Sequence, residues 1–380
     1  MQLIDQIKRL ARRPKPYRSL IEVEISAERL KHNLVVVRSV VPRWQVAPVL
    51  KSNAYGHGLN LVASVVDKEN VPFVVVDSYF EALSLRRNGF RSPILLVGFV
   101  FPEDILNNKL PRVAFTITSL EQLRQVVERL SRPQAFHLKI DTGMHRQGLL
   151  IEEVETAMAI IKNNANFILE GVCSHFADAD SEAEAFTLQQ IEKWNELGRL
   201  FRKNFENIKY FHVSASAGLY YYEKIRANCL RLGIGLYGFN VSKNKSLDLR
   251  PALSMKTVIT GVKNLKKGET VGYGHSFTAP RDMTVATIPV GYYEGLDRRL
   301  SSVGFVKVKG ILCPIVGRVS MNISSIDVSS VPIVALGDEV EVISANKQDP
   351  NSIDNMARLA GTIPYELLVH LPGQLKRTSL

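Results

Sequence analysis

Between residues 45 and 238 short apolar, β-branched runs recur eight times, separated by longer stretches with helical spacing. The runs are Val46–Leu50, Phe73–Val76, Ile94–Val97, Val113–Ile117, Phe136–Ile140, Phe167–Cys173, Tyr210–Val213 and Leu230–Gly233. Continuous apolar runs of this length suit strands covered on both faces, as in a parallel sheet. The intervening stretches are amphipathic: Ser119–Leu130 sets Leu120, Leu123, Val126, Val127 and Leu130 on one face. Ala183–Phe205 does the same with Leu188, Ile191, Trp194, Leu197, Leu200 and Phe201. Eight strand–helix units over roughly 200 residues match a (β/α)8 barrel. An open doubly wound sheet has the same periodicity, which does not encode closure; the barrel is the expected α/β fold.

After Asn240 the character changes. Strand-like runs follow one another with Gly and Pro turns and no long helix: Ser254–Val262, Met283–Pro289, Phe305–Val308, Ile311–Val319, Ile323–Val328 and Glu339–Ile343. This pattern predicts a mainly antiparallel β-domain. A helix is expected at Ser352–Ala360, started by Ser352 and ended by Gly361. At 380 residues the chain is too long for one ordinary domain. The predicted organisation is a basic extension over residues 1–18, a barrel over 19–252 and a C-terminal β-domain over 253–380. The early run Leu20–Ile25 is a candidate to pair with that later domain.

The net charge of +11 raises a nucleic-acid reading. The lysines and arginines are spread along the whole chain, however, and no helix-turn-helix, zinc-finger or RNP-type signature occurs. No nucleic-acid partner is expected. Ile4, Ile7 and Leu10 with Lys8, Arg9, Arg12 and Arg13 could touch a membrane, but a solvated chain end is the simpler expectation. No apolar run reaches the ~18 residues that span a bilayer, and no secretory signal pattern is read at the start. Cys173, Cys229 and Cys313 lie far apart, which argues against a zinc site or disulfide framework and points to a reducing compartment, the cytoplasm.

Several segments at strand ends could carry chemistry. In Lys51-Ser52-Asn53-Ala54-Tyr55-Gly56-His57-Gly58, Lys51 follows the first buried run, where a barrel presents active-site residues. A lone strand-end lysine is more often a solvated charge, but in apolar surroundings it can serve as a Schiff-base amine. In Asp141-Thr142-Gly143-Met144-His145-Arg146-Gln147-Gly148, Arg146 sits in a Gly-flanked loop and could clamp a carboxylate. Ser174-His175-Phe176-Ala177-Asp178-Ala179-Asp180 combines acids with a histidine, yet it lacks the Gly and terminal Glu of a calcium loop. No metal is expected. Ser216, Gly233 and Gly235 fall after the seventh and eighth runs, where barrels commonly bind phosphate through backbone N–H groups.

Together these segments resemble the alanine racemase family. Lys-x-Asn-Ala-Tyr-Gly-His-Gly at residues 51–58 is similar to its pyridoxal 5'-phosphate (PLP) attachment motif. The resemblance extends through the Arg146 loop, the His175 stretch, Arg231-Leu232-Gly233-Ile234-Gly235, and Gly272-Tyr273-Gly274-His275. It continues through Gly291-Tyr292-Tyr293-Glu294-Gly295, Gly317-Arg318-Val319-Ser320-Met321-Asn322 and Thr362-Ile363-Pro364-Tyr365. It implies that Lys51 holds PLP as a Schiff base and that Tyr55, Ser216, Gly233, Ile234 and Tyr365 bind its phosphate. Arg231 would face the pyridine nitrogen; an arginine does not readily give up its proton, so that nitrogen would stay unprotonated and side reactions would be limited. His175 would belong to a network near the cofactor.

By the same resemblance Arg146 and the Met321 N–H bind the substrate carboxylate, and Lys139 is a position often carbamylated to orient the arginine. Tyr273 would be the second base, projecting from one subunit of a homodimer into the barrel of the other. A tyrosine near its usual pKa of ~10 needs help to act as a base, and the network from Arg231 through His175 is the candidate source. Tyr292 would narrow the entrance, with Asp180, Arg298, Arg318 and Asn322 in support.

The implied activity is interconversion of L- and D-alanine, supplying D-alanine for peptidoglycan. Departures from the family pattern are Asn322 for the usual aspartate, Ser320 for a frequent cysteine, Ala215 for a frequent asparagine, and no terminal tyrosine. They leave serine or a broader range of amino acids open as substrates. A non-catalytic PLP-binding barrel and a basic amino-acid decarboxylase are the other readings.

Overall fold

The computed structural model describes residues 18–240 and 246–380. The basic extension assigned to residues 1–18 therefore lies, apart from Arg18, outside the described residues. The chain forms two compact units. One comprises Glu24–Ser254, Ile343–Gly373 and Ser379–Leu380; the other comprises Met255–Val342, Gln374–Thr378 and the described part of Met1–Val23. The chain thus passes between the units more than once. Segment Ile343–Gly373 belongs to the first of these units.

After β1 (Glu22–Ile25), the first unit contains all eight expected strands: β2 (Gln45–Pro48), β3 (Val74–Val76), β4 (Ile94–Leu96), β5 (Val113–Ile117), β6 (Gln134–Lys139), β7 (Phe167–Cys173), β8 (Tyr210–His212) and β9 (Cys229–Leu232). Strands β3 to β8 make one parallel sheet in sequential order, and β2 pairs in parallel with β9. Two seams close the ring. Leu50 N donates to Val75 O at 2.8 Å beside a Val49–Val75 bridge, and Asn228 and Arg231 N–H donate to Phe211 and Ser214 O at 3.1 Å each. The sheet is a closed barrel, a choice the periodicity leaves open.

The apolar runs follow from burial on both faces: every residue of β3, β4 and β5 is buried. One end of the barrel interior is filled by Ala47, Val49, Phe73, Val75, Leu95, Ala114 and Cys229. The connecting helices start where side chains satisfy their free N–H groups. Ser119 caps Leu120–Arg129, and Ser78 with Glu81 forms a capping box on Tyr79–Arg87. The 20-residue helix Ala185–Asn204 buries Ile191, Trp194, Leu197 and Phe201, the face its spacing predicts.

The second unit is mainly antiparallel. A six-stranded sheet has the order β16 (Ile311–Pro314), β15 (Phe305–Val308), β18 (Glu339–Ile343), β10 (Leu253–Val258), β1, β19 (Lys376–Ser379). A three-stranded sheet joins β11 (Gly261–Leu265), β14 (Met283–Ile288) and β17 (Ser324–Asp327), and a short hairpin joins β12 (Thr270–Val271) to β13 (Phe277–Thr278). The run Ser254–Val262, read as one strand, is broken between β10 and β11, which lie in different sheets. Its second half pairs with β14 through Gly261–Thr287 and Val262–Ala286. Helix Ile353–Ala360 begins at Ser352 and ends at left-handed Gly361, as the caps predict.

Candidate active site

Lys51 follows β2 at the C-terminal mouth of the barrel, and the turn after it is unusual. Ser52, Asn53, Ala54 and Tyr55 have φ of 56, 54, 53 and 51°, four successive non-glycine residues in the left-handed region. Each such residue costs about 1–2 kcal/mol, so the surroundings must hold the turn. Ala54 N–H donates to Leu50 O at 2.8 Å and Gly58 N–H to Asn53 O at 2.9 Å. The Asn53 side chain accepts from Leu59 N–H at 2.8 Å, and Glu81 accepts from Asn53 N–H at 3.3 Å. Gly56 completes the turn at φ 78°, where a Cβ would lie 1.9 Å from Leu368 O. Strain concentrated beside one lysine is a common mark of a functional position.

The mouth encloses a cavity of about 750 Å³ lined by Lys51, Tyr55, Lys139, Arg146, His175 and Asp180, and further by Ser216, Arg231, Gly233, Ile234 and Tyr365. Eleven of the residues singled out in the sequence are thus brought together in one unit. Lys51 Nζ lies 3.5 Å from Asp77 Oδ1. On one wall Ser216 Oγ accepts from the N–H groups of Gly233 and Gly235 at 3.1 and 3.2 Å. A Cβ on Gly233 would lie 2.8 Å from the Tyr55 hydroxyl and 3.8 Å from Ser216 Oγ. The missing side chain opens a small cradle of backbone N–H and hydroxyl donors, suited to an anion. Tyr55 packs against Tyr237 and Tyr365, and burial, followed by the Asp77 charge, pushes its pKa up to about 12, so it remains a neutral donor there.

Arg146 is exposed on a loop organised by Asp141, whose Oδ1 accepts from the N–H groups of Gly143 and Met144 at 2.7 and 2.9 Å. Lys139, from the adjoining strand, donates to Gln147 at 3.3 Å, and burial lowers its pKa first, with the Arg231 and Arg146 charges adding to the effect.

Arg231 is buried at the cavity floor. Its guanidinium donates to the carbonyls of His212, Ser174 and Val213 at 2.6, 2.7 and 3.0 Å, and to the ring nitrogens Nδ1 of His212 and of His175, the latter at 3.0 Å. Burial and then the arginine charge hold His175 and His137 at about 3, and hold His212 well below its ordinary value. A histidine depressed in the folded protein stays neutral there, but takes a proton in the unfolded chain below about pH 6.5. Stability is therefore expected to fall as pH drops below about 6.5, with a limiting slope of about 1.4 kcal/mol per pH unit for one histidine kept neutral in the fold. Urea midpoints that are equal at about pH 7 and pH 5 would contradict this.

The remaining sequence candidates lie in the second unit. Tyr273 follows left-handed Gly272 in a single 3-10 turn and is 73% exposed; Met321 is 56% exposed and Tyr292 44%. Arg298, Arg318 and Asn322 are exposed as well. Asn322 Nδ2 donates to Glu294 Oε1 at 2.7 Å, while Glu294 Oε2 accepts from Gly291 N–H at 2.9 Å. Glu294 is buried, so an aspartate at 322 would set two carboxylates against each other. Asn322→Asp is expected to destabilise the protein by about 1–3 kcal/mol, with Glu294→Gln restoring the loss in the double variant. Thermal unfolding of both proteins checks it.

Sequence reasoning did not single out Asp77, His137 or the role of His212. Asp77 follows β3 as Lys51 follows β2, and His137 shares its strand face with Lys139 by the two-residue period. Those were the available signals.

A barrel mouth that combines a primary amine, an anion cradle and a guanidinium has the groups of an enzyme active site. The alanine racemase N-terminal domain family matches residues 25–241, and the alanine racemase C-terminal domain family matches residues 252–379. An alanine racemase of Methanococcus maripaludis is 34% identical, over 94% of this chain and 98% of its own. Among solved structures, the alanine racemase of Clostridium difficile has a TM-score of 0.88 at 29% identity, covering 96% of this chain and 97% of its own. A histidine racemase from Leuconostoc mesenteroides has a TM-score of 0.87 at 29% identity, covering 96% and 99%. The chain belongs to the alanine racemase family and is an amino-acid racemase, an isomerase. Among the described residues no helix is long and apolar enough to cross a membrane.

Proposed function

We propose that this protein is a PLP-dependent racemase that interconverts L- and D-alanine by two bases, Lys51 and Tyr273 of the partner subunit in a homodimer. The observation that carries the reading is the cavity in which Lys51, the Gly233 cradle and Arg146 meet. The residues present fit the cofactor: Gly233 leaves room for a phosphate between Tyr55 and Ser216, Lys51 supplies the amine, and Tyr365 lines the same wall. When bound, PLP supplies an electron sink that acidifies the α-hydrogen of an attached amino acid.

The chain's own residues do the rest. Arg146 binds the substrate carboxylate, aided by the Met321 N–H, with Lys139, once carbamylated, supplying the acceptor that orients the arginine. Lys51 takes or returns the α-proton on one face and Tyr273 on the other, so the roles exchange with the hand of the substrate. The 73% exposure of Tyr273 within its own chain agrees with a residue that completes a second subunit's site. Arg231 keeps its protons among groups that all accept from it and would leave the nitrogen of a bound cofactor ring unprotonated, which would moderate electron withdrawal and restrain side reactions. His175, which accepts from Arg231, links that arginine to the tyrosine. The product would supply D-alanine for peptidoglycan in the cytoplasm.

The likeness to a histidine racemase favours a second reading, a side-chain range broader than alanine. Incubation with L-alanine and PLP in heavy water tests both. Deuterium at the α-carbon with loss of optical rotation is expected. No exchange would indicate a cofactor-binding protein, and loss of the carboxyl carbon a decarboxylase. Faster exchange with L-serine or L-histidine than with L-alanine would favour the second reading.

A further inference from the structure

A chain of buried polar groups runs from Arg231 away from the cavity, across the barrel interior. Arginine has no acceptor, so the His212 Nδ1 that faces Arg231 must offer a lone pair. A neutral imidazole with an unprotonated Nδ1 carries its hydrogen on Nε2. His212 Nε2 lies 2.7 Å from His137 Nδ1, which must accept it, leaving the His137 hydrogen on Nε2. That nitrogen faces Glu170 Oε2 at 4.0 Å, and Glu170 is paired with Lys209 at 3.0 Å. All donors therefore point one way, from the guanidinium toward the carboxylate.

The backbone is shaped for this arrangement. The pairing of β6 with β7 shifts between Phe136 and His137, so that Phe136 faces Leu169 while His137 faces Gly171 and Glu170 is the extra residue. Bulges of this kind re-aim side chains. Gly171 makes room for the ring: a Cβ there would lie 2.5 Å from His137 Nδ1. Phe73 packs edge-on against His137 with centroids 5.5 Å apart, and Tyr210 stacks on it at 5.8 Å. His137 and Glu170 also line a second cavity of about 580 Å³ at the N-terminal ends of the strands, so the chain of groups joins the two poles of the barrel.

We propose that His137 and Glu170 are positioning residues for the reaction, holding His212 in the single tautomer that accepts from Arg231 and so fixing the guanidinium at the cavity floor. With the His137 acceptor lost, His212 can move its hydrogen to Nδ1, where it would oppose the Arg231 N–H. The arginine would then turn or lose a bond. This inference rests on the proposed role of Arg231 toward the cofactor ring, but its main readout does not need turnover.

The test is ¹⁵N NMR of ring-labelled histidines in the PLP-loaded enzyme, with kcat, KM and the visible absorbance of bound cofactor measured in parallel. Wild-type His212 is expected as one neutral Nε2–H tautomer. His137→Phe keeps the ring packing and removes the acceptor; it should give mixed His212 tautomers and a kcat lower by on the order of tenfold to a hundredfold, the range seen when outer partners of a functional group are removed. KM should change little. His137→Asn, which returns an oxygen acceptor near the Nδ1 position, should restore both. Glu170→Gln, which keeps the side chain's size and removes its charge, should shift the His137 nitrogens and lower kcat, and it serves if His137→Phe does not fold. A wild-type His212 signal and kcat in His137→Phe, or in Glu170→Gln unchanged His137 nitrogens with full kcat, would overturn the proposal. A wild type that shows the single tautomer without racemising alanine would instead fault the reading of function and leave the chain of groups standing.

Discussion

Replacing Lys51 by alanine is expected to abolish both the visible absorbance of bound PLP and racemisation. Loss on the order of 10⁴-fold or more is the scale for removing a group that acts covalently. The fold should survive. Lys51 is only partly buried, and its ion pair with Asp77 is more than one-third exposed on both sides, the kind that contributes little stability. The left-handed turn is held by Asn53, Glu81 and backbone bonds rather than by the lysine side chain. Circular dichroism unchanged from wild type, together with absent cofactor absorbance, is the expected pair of results. A variant that still holds the cofactor as a Schiff base would move the attachment to another amine.

Tyr273→Phe is expected to retain cofactor absorbance and lose racemisation by about 10² to 10⁴-fold, the usual worth of a positioned proton-transfer group. The sharper measurement mixes two inactive proteins. If each site takes Lys51 from one subunit and Tyr273 from its partner, a hybrid of Lys51→Ala with Tyr273→Phe has one intact site. A symmetric dimer that exchanges subunits freely should then recover about a quarter of wild-type activity, since half the dimers are hybrids with one good site of two. Should the mixture stay inactive after proven exchange, both groups belong to the same chain or Tyr273 has another role.

Much of this was legible before the structure because it is local. The eight barrel strands could be read because burial on both faces leaves continuous runs such as Val74–Val76 and Val113–Ile117. The caps at Ser119 and Ser352 announce their helices. Lys51, Arg146 and Ser216 could be located because a barrel gathers residues at strand ends regardless of their distance in sequence, and Arg231 because its segment resembles the family's. The rest depends on contacts between distant positions. Closure rests on a few bonds at two seams. The change of sheet between Leu253–Val258 and Gly261–Leu265 leaves no mark in a run of apolar residues. His137, 75 residues from His212, looks like an isolated polar residue in a strand, and only the Glu170 bulge reveals why it is there. Asn322, which reads as a lost charge at the entrance, is explained by Glu294, a neighbour in space and 28 residues away in sequence.

The interleaving of the two units has a consequence for how this chain is made. The barrel unit includes Ile343–Gly373, which carries Tyr365 and the Leu368 carbonyl that backs Gly56. A ribosome adding roughly 5–20 residues per second completes the eighth strand several seconds before it delivers that segment. During this interval the emerging barrel lacks one wall of its cavity, and the strained turn after Lys51 lacks its backing. Nascent chains halted just beyond residue 254 should therefore bind pyridoxal phosphate weakly and be cut by protease near residues 52–58, whereas chains released after residue 373 should be protected.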